Sequence, residues 1–334
     1  MNASKMKQMT ARESSTLSMI RVGAMMSIVV CHLFQAYGKY EFSSVFNVGV
    51  QVFFVLSGYL YGAKTITSWM DFAKRRVMKL YMPYALLLAI MSPLVIYDFG
   101  LMKYGWYLLN LQGLCGISSR LHAFSIPPLA HCWFLTAIFV SYATLPFLQQ
   151  IRIHAPLAIG VTISSLVVSF ILLPTRYVWG VEWVVLFAIG YLYRAIKESY
   201  SATSCVVFEV LCCVACVAAI LCMDRSCLYS NYDLRNRIFH VTLGVMIFIA
   251  SRHYLPPPAL SKLLSILDRS SFMIYLVHFP FFIGKYSLAH LTPYNIVNVV
   301  IMIVATIIAT FVLAAVSNLL SKFRRISINT TSTL

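Results

Sequence analysis

The chain has 334 residues, 60% of them hydrophobic and only 11% charged, with a mean hydropathy of +0.81. A soluble domain carries about 25% charged residues and seldom exceeds half apolar, so this composition excludes a water-soluble globule and assigns the chain to the lipid bilayer. A formal charge of +16 would point to nucleic acid in a soluble protein. In a membrane protein the placement of the basic residues carries the information instead, and no nucleic-acid partner is expected.

Apolar runs long enough to cross about 30 Å of hydrocarbon at about 1.5 Å per helical residue recur along the chain. They fall at 18–37, 45–63, 77–97, 132–150, 156–174, 178–195, 205–223, 237–251, 270–286 and 295–319. The expectation is an all-α, polytopic membrane protein of about ten transmembrane helices, forming one transmembrane domain over residues 1–334 with short polar tails. The first run follows Lys5, Lys7 and Arg12 as a signal peptide would, but no small-residue cleavage site follows it, so it reads as a retained span. With the N-terminus in the cytoplasm, most of the 26 Lys and Arg fall on the cytoplasmic side, so both termini are expected there.

Of nine cysteines, Cys205, Cys212, Cys213, Cys216 and Cys222 share one apolar run, where small residues let helices pack closely. Cys115 and Cys227 fall in external segments and leave a bridge open, while Cys31 and Cys132 read as unpaired small hydrophobes. The longest connection, Asp98 to His131, has the aromatic, Gly and Pro content of a folded-back loop. The stretch from Met223 to Arg237 is the most polar of the chain. Both are expected outside, either touching a polar substrate or serving as connectors with Trp106 and Tyr107 as headgroup anchors. No internal repeat is evident, which speaks against a transporter built from duplicated halves.

Arg21 and His32 lie eleven positions apart, which on a helix means about 16 Å along the axis and about 20° in azimuth, so they share a face. A titratable group near mid-membrane marks a functional pathway by default, although a histidine bonded to a neighbouring helix satisfies the same pattern. "GVQVFFVLSGYLYG", Gly49 to Gly62, ends its apolar run in Ser57-Gly58, and "FAKRRVMKLYMPY", Phe72 to Tyr84, leads basic residues into a span. Further on stand "HCWFL", His131 to Leu135, and "SFMIYLVHFP", Ser271 to Pro280.

Taken together and in this order, these segments resemble the membrane-bound acyltransferase-3 family, the O-acyltransferases that decorate bacterial polysaccharides. One departure is visible: where the family reads Arg-Arg-x-x-Arg, this chain has Arg75, Arg76 and then Lys79. Lysine keeps the charge but loses the bidentate fork. The resemblance implies acetyl-CoA as a cytoplasmic acyl donor, its phosphates held by Arg75, Arg76 and Lys79 and its thioester reaching inward past Arg21 to His32. Those basic residues also serve simply to orient the protein.

His32 is expected to act as general base on a hydroxyl, since imidazole titrates near neutrality, with a covalent acyl-imidazole as the competing mechanism. Ser57 is either a nucleophile lacking an acidic partner or a point of tight helix packing. Trp133, from the "WFL" segment, is placed with the substrate. His278 shares a face with Tyr275 and Ser271 and either orients substrate or satisfies a buried hydrogen bond. Glu182, near the outer end of the sixth span, either sits at the interface or is an intramembrane carboxylate paired with His131, Arg176 or an acceptor hydroxyl. His122, His154, His240, His253 and His290 fall at or beyond span ends and read as solvated, and Glu209 has no assigned role.

The expected function is acetyl transfer from acetyl-CoA to a hydroxyl of a surface or secreted saccharide, free or lipid-linked, in the bacterial inner membrane. Separate polysaccharide-assembly proteins are possible partners, and no metal is expected. The alternative is a transporter of an acyl donor or lipid-linked glycan without bond chemistry.

Overall fold

The computed structural model describes residues 11–116, 119–154, 160, 181–199, 202–221 and 234–331. The expected span at 156–174, most of the polar segment from Met223 to Arg237, Arg176 and Cys227 lie outside the described residues. Among the described residues every regular element is helical.

Helix α1, Ala11–Ala36, carries Arg21 and His32. α2, Tyr40–Phe46, and α3, Val48–Gly62, follow with a break only at Asn47. α4, Trp69–Arg76, opens with the Ser68 hydroxyl accepting from Asp71 N–H, an N-cap that satisfies one of the orphan donors of the first turn. It passes through a π-turn at Val77–Tyr81 into α5, Met82–Phe99. Pro83 has no N–H, so the Lys79 carbonyl lacks its usual partner, and Met82 N–H instead bonds Val77 five residues back. The basic cluster therefore sits on a widened turn of a long helix.

After α6, Leu101–Leu108, the chain folds back through short turns and α7, Ser119–His122. It then continues through a 3-10 turn at Pro127–Cys132 into α8, Trp133–Ala143, and α9, Leu145–Ile151. This is the folded-back loop that its composition predicts. Gln112 Nε2 donates to Cys132 O at 2.8 Å and Gly113 N–H to Thr136 Oγ1 at 3.0 Å. Tyr107 is not a headgroup anchor: it is buried and accepts from Ile126 N–H at 3.0 Å, while the half-buried Trp106 stacks on Phe124 at 4.7 Å.

The remaining elements are α10, Val181–Ser199, α11, Ala202–Leu221, α12, Leu234–Arg252, α13, Ser261–Phe282, and α14, Asn295–Thr331. Among the described residues four helical stretches are long and apolar enough to cross a membrane: Arg12–Ala36, Tyr40–Gly62, Trp69–Phe99 and Asn295–Leu320. A fifth arises if Pro127–Ala143 and Leu145–Ile151 count as one across a 40° bend. α10, α12 and α13 stand where spans are expected, but polar residues such as Glu182, Arg194, Arg237 and Asp268 keep them below the hydropathy of a free-standing span. The chain is thus a helical membrane protein with polar residues within several of its buried helices.

α3 and α10 run parallel in near backbone contact. A Cβ on Gly58 would lie 1.8 Å from the Phe187 carbonyl oxygen, and one on Gly190 would lie 2.0 Å from that of Val55. Ser57-Gly58 is therefore a packing seam. Around it Phe54, Leu56, Tyr59, Leu186, Phe187 and Phe248 are fully buried. α1 packs antiparallel to α3, with Gly49 against the Ala24 carbonyl, and the contacts described below place α13 parallel to α1.

Gly58→Ala is expected to destabilise the fold by at least the ~1–3 kcal/mol typical of overpacking and to lose the monodisperse peak in detergent size-exclusion chromatography. Gly105→Ala, where nothing lies within 4 Å of the new Cβ, should elute as wild type. Equal elution of both variants would refute the seam.

Candidate functional site

α1 and α13 are joined by two polar rungs. At one level the Arg21 guanidinium pairs with Asp268, whose other oxygen accepts from Ser18 Oγ at 2.7 Å. About three turns further along both helices, His32 Nδ1 meets His278 Nε2 at 2.8 Å, with the two rings stacked 5.1 Å apart at 21°. His278 Nδ1 faces the carbonyls of Tyr275 at 2.8 Å and Ile274 at 3.1 Å.

A third imidazole completes the cluster. Pro280 has no N–H, so the Leu276 carbonyl four residues earlier loses its helical partner, and His131 Nε2 takes it up at 3.1 Å. The His131 ring stacks on Phe279 at 4.6 Å, and its backbone carbonyl accepts from the Tyr275 hydroxyl.

His32 and His131 open onto a cavity of about 230 Å³ lined also by Gln35, Asn47, Gln51, Trp133, Glu182, Trp183, Asn236, Arg237, His240 and Phe279. Glu182 pairs with Arg237, Oε2 accepting from Nε at 2.9 Å with the Nη2 nitrogen 2.7 Å away, and both side chains are buried. Among the described residues the partner of Glu182 is Arg237, with His131 bound to Leu276 instead. The pair cancels its own charge, so the wall consists of amides, a neutralised ion pair and two indoles, Trp133 and Trp183, 4.9 Å apart. His240 is not solvated: it is 3% exposed and sits between the carbonyls of Asn236 and Ser44. Polar residues within a membrane helix face the bundle interior, away from lipid.

At the opposite end of α1 the bundle is basic. Lys79 lies within electrostatic reach of Arg21, Lys64, Arg76 and Asp268. The Arg76 guanidinium rests over the rings of Tyr61 and Phe72 at 5.4 and 5.6 Å, and Arg75 is exposed beside it. Desolvation, with the Lys64 amine 5.3 Å from the Tyr61 ring and then the Arg76 charge, holds that amine below the usual lysine value. Arg194, paired with Glu13 and Glu198, and Arg252, 4.4 Å over Tyr59, occupy the same end.

The structure therefore brings His32, Trp133 and Glu182 to one cavity and sets His278 and Tyr275 directly behind it. Arg21, Arg76 and Lys79 form a separate basic group at the other level. Ser57 is buried next to Gly58 of the α3–α10 seam and does not line the cavity. Sequence reasoning missed Arg237, Asp268, Gln35, Asn47, Gln51, Asn236 and the burial of His240. Asp268 had a signal, since it precedes His278 by ten positions much as Arg21 precedes His32 by eleven. Glu209 binds the Tyr193 hydroxyl and His253. Among the described residues no group of three or more His, Cys, Asp or Glu is placed to hold a metal ion.

A family model described as an acyltransferase domain, acyltransferase-3, matches residues 15–315. No curated protein and no solved structure matches the chain.

Removing one partner of a buried ion pair strands the other charge. Arg237→Met is therefore expected to cost about 3–5 kcal/mol, read as a lowered thermal midpoint in detergent. The double variant Arg237→Met with Glu182→Gln should recover most of that loss. Equal midpoints for wild type and the single variant would show that the pair is not buried.

Proposed function

The chain belongs to the acyltransferase-3 family, and from that premise we propose that this membrane acyltransferase moves an acetyl group from cytoplasmic acetyl-CoA to a hydroxyl of a bacterial surface or secreted polysaccharide. The observation that carries the proposal is the place of His32. It shares one helix with the basic group around Arg21 and opens onto the polar, aromatic cavity at the other level.

The donor is a polyanion, and guanidinium groups bind phosphate strongly and directionally. Arg76, Lys79 and the exposed Arg75 hold its phosphates, while Arg21, tied to Asp268, adds charge at the entrance. The extended pantetheine arm spans the remaining distance along α1. A cavity below the ~300–1,000 Å³ of sites for drug-sized ligands suits one sugar ring, with amides and the Glu182–Arg237 pair bonding hydroxyls and Trp133 and Trp183 covering a ring face.

His32 Nδ1 is engaged with His278, which leaves Nε2 for the cavity. His32 takes the proton of the acceptor hydroxyl as its oxygen attacks the thioester carbonyl. Collapse of the tetrahedral intermediate breaks the C–S bond, and the departing thiolate receives that proton from His32. The ester stays with the saccharide and coenzyme A leaves as the free thiol.

Among the described residues the two ends of the bundle differ in charge, with Arg12, Lys64, Arg76, Lys79, Arg194, Lys197 and Arg252 at the α1 N-terminal end and fewer cations at the other. This asymmetry favours an orientation with the α1 N-terminal end in the cytoplasm.

In nanodiscs, free thiol should appear from acetyl-CoA only when saccharide acceptor is supplied. His32→Ala should lower kcat by about 10²–10⁴-fold, whereas Arg76→Ala should chiefly raise the KM for the donor. Thiol release independent of acceptor, or full activity in His32→Ala, would sink the reading. In cells, a cysteine placed near Lys74 should label from the cytoplasm and one near Arg120 from outside; the reverse pattern overturns the orientation.

A further inference from the structure

We infer that His278 is a positioning residue that fixes the proton of His32 on Nδ1, so that His32 presents an unprotonated Nε2 to the cavity. The inference deepens the general-base reading of His32 and rests on it for its catalytic meaning.

The argument follows one hydrogen-bond chain. The carbonyls of Tyr275 and Ile274 only accept, and both face His278 Nδ1 at 2.8 and 3.1 Å, so that nitrogen carries the hydrogen and donates. In a neutral imidazole with one nitrogen protonated the other is a lone-pair acceptor, which makes His278 Nε2 an acceptor. It stands 2.8 Å from His32 Nδ1. Two lone pairs do not share that distance, so His32 Nδ1 bears a hydrogen and donates it. The lone pair of neutral His32 is then on Nε2, the nitrogen not engaged by α13.

His131 does not compete for the same contact. Its Nε2 donates to the Leu276 carbonyl freed by Pro280, and its ring is held against Phe279. Among the described residues no carboxylate hydrogen-bonds any of the three imidazoles. In a Ser-His-Asp triad a carboxylate orients the base and also stabilises the imidazolium; a neutral imidazole supplies the orientation without the charge. The signal originates in the α13 backbone, where the helical carbonyls of Ile274 and Tyr275 set the His278 tautomer.

The test is nitrogen-15 NMR of the full-length protein in nanodiscs with labelled histidine, the His32 signals being assigned by their absence in His32→Gln. Wild type is expected to show His32 protonated at Nδ1 and bare at Nε2. In His278→Phe, checked for intact elution, the proton should move to Nε2 or divide between the two nitrogens. Its kcat should fall at least about 10-fold, toward the ~10⁴-fold loss of a catalytic histidine held in the wrong tautomer, with the donor KM unchanged. His278→Gln, whose amide oxygen accepts from Nδ1–H, should restore part of kcat.

A wild-type His32 protonated at Nε2 would overturn the inference, as would an unchanged tautomer in folded His278→Phe. Should His278→Phe not fold, the wild-type spectrum decides alone. The spectrum needs no turnover, so Nδ1–H in a protein that transfers no acyl group would keep the tautomer assignment and sink the proposed function instead.

Discussion

The polar line from Arg21 to His32 depends on the contact between α1 and α13. A guanidinium and an imidazole on one face of an apolar helix have no water to turn to and must be satisfied by a neighbouring helix. α13 answers both, with Asp268 for Arg21 and His278 for His32. Because the two rungs have nearly the same spacing on each helix, the helices must run parallel and in one register. A slip of one turn would leave a charge and a ring nitrogen without partners, at a cost of several kcal/mol. The register is therefore specified by chemistry as much as by shape.

That ladder divides the interior into two levels. At one lie Arg21, Arg76 and Lys79, and at the other the amides, indoles and the Glu182–Arg237 pair. His32 stands between them on a rigid helix. The division suits the proposed reaction, with a polyanionic donor at the basic level and a polyhydroxylated acceptor at the neutral one. The Glu182–Arg237 pair leaves the cavity wall polar without making it charged, and its two members hold each other in place without drawing on the histidines.

A polar interior also needs apolar packing that is strong enough to hold it. The α3–α10 seam supplies this by near contact of backbones at Gly58 and Gly190, the small-residue solution that helices use where lipid gives no hydrophobic drive for association. Proline contributes in another way. Pro83 widens the turn beneath the basic cluster, and Pro280 frees the carbonyl that anchors His131, so each missing N–H is answered by a local rearrangement near the site.

The sequence by itself determined the membrane class, the helical character and the family, because hydropathy, the Arg21–His32 spacing and the motif order are properties of the linear chain. It also marked His32, Trp133, Glu182 and His278 as residues worth explaining. It misread residues whose surroundings come from other segments: Tyr107 and His240 look interfacial by position but are buried, Tyr107 within the folded-back loop and His240 against Ser44 of α2. Only the tertiary structure decided that Glu182 answers Arg237, that Arg21 answers Asp268, that Ser57 lies beside a seam, and that two histidines 246 positions apart share a hydrogen bond. The physical reason is that a buried polar group is defined by the partner opposite it, and in a helical bundle that partner is chosen by register between helices distant in the chain.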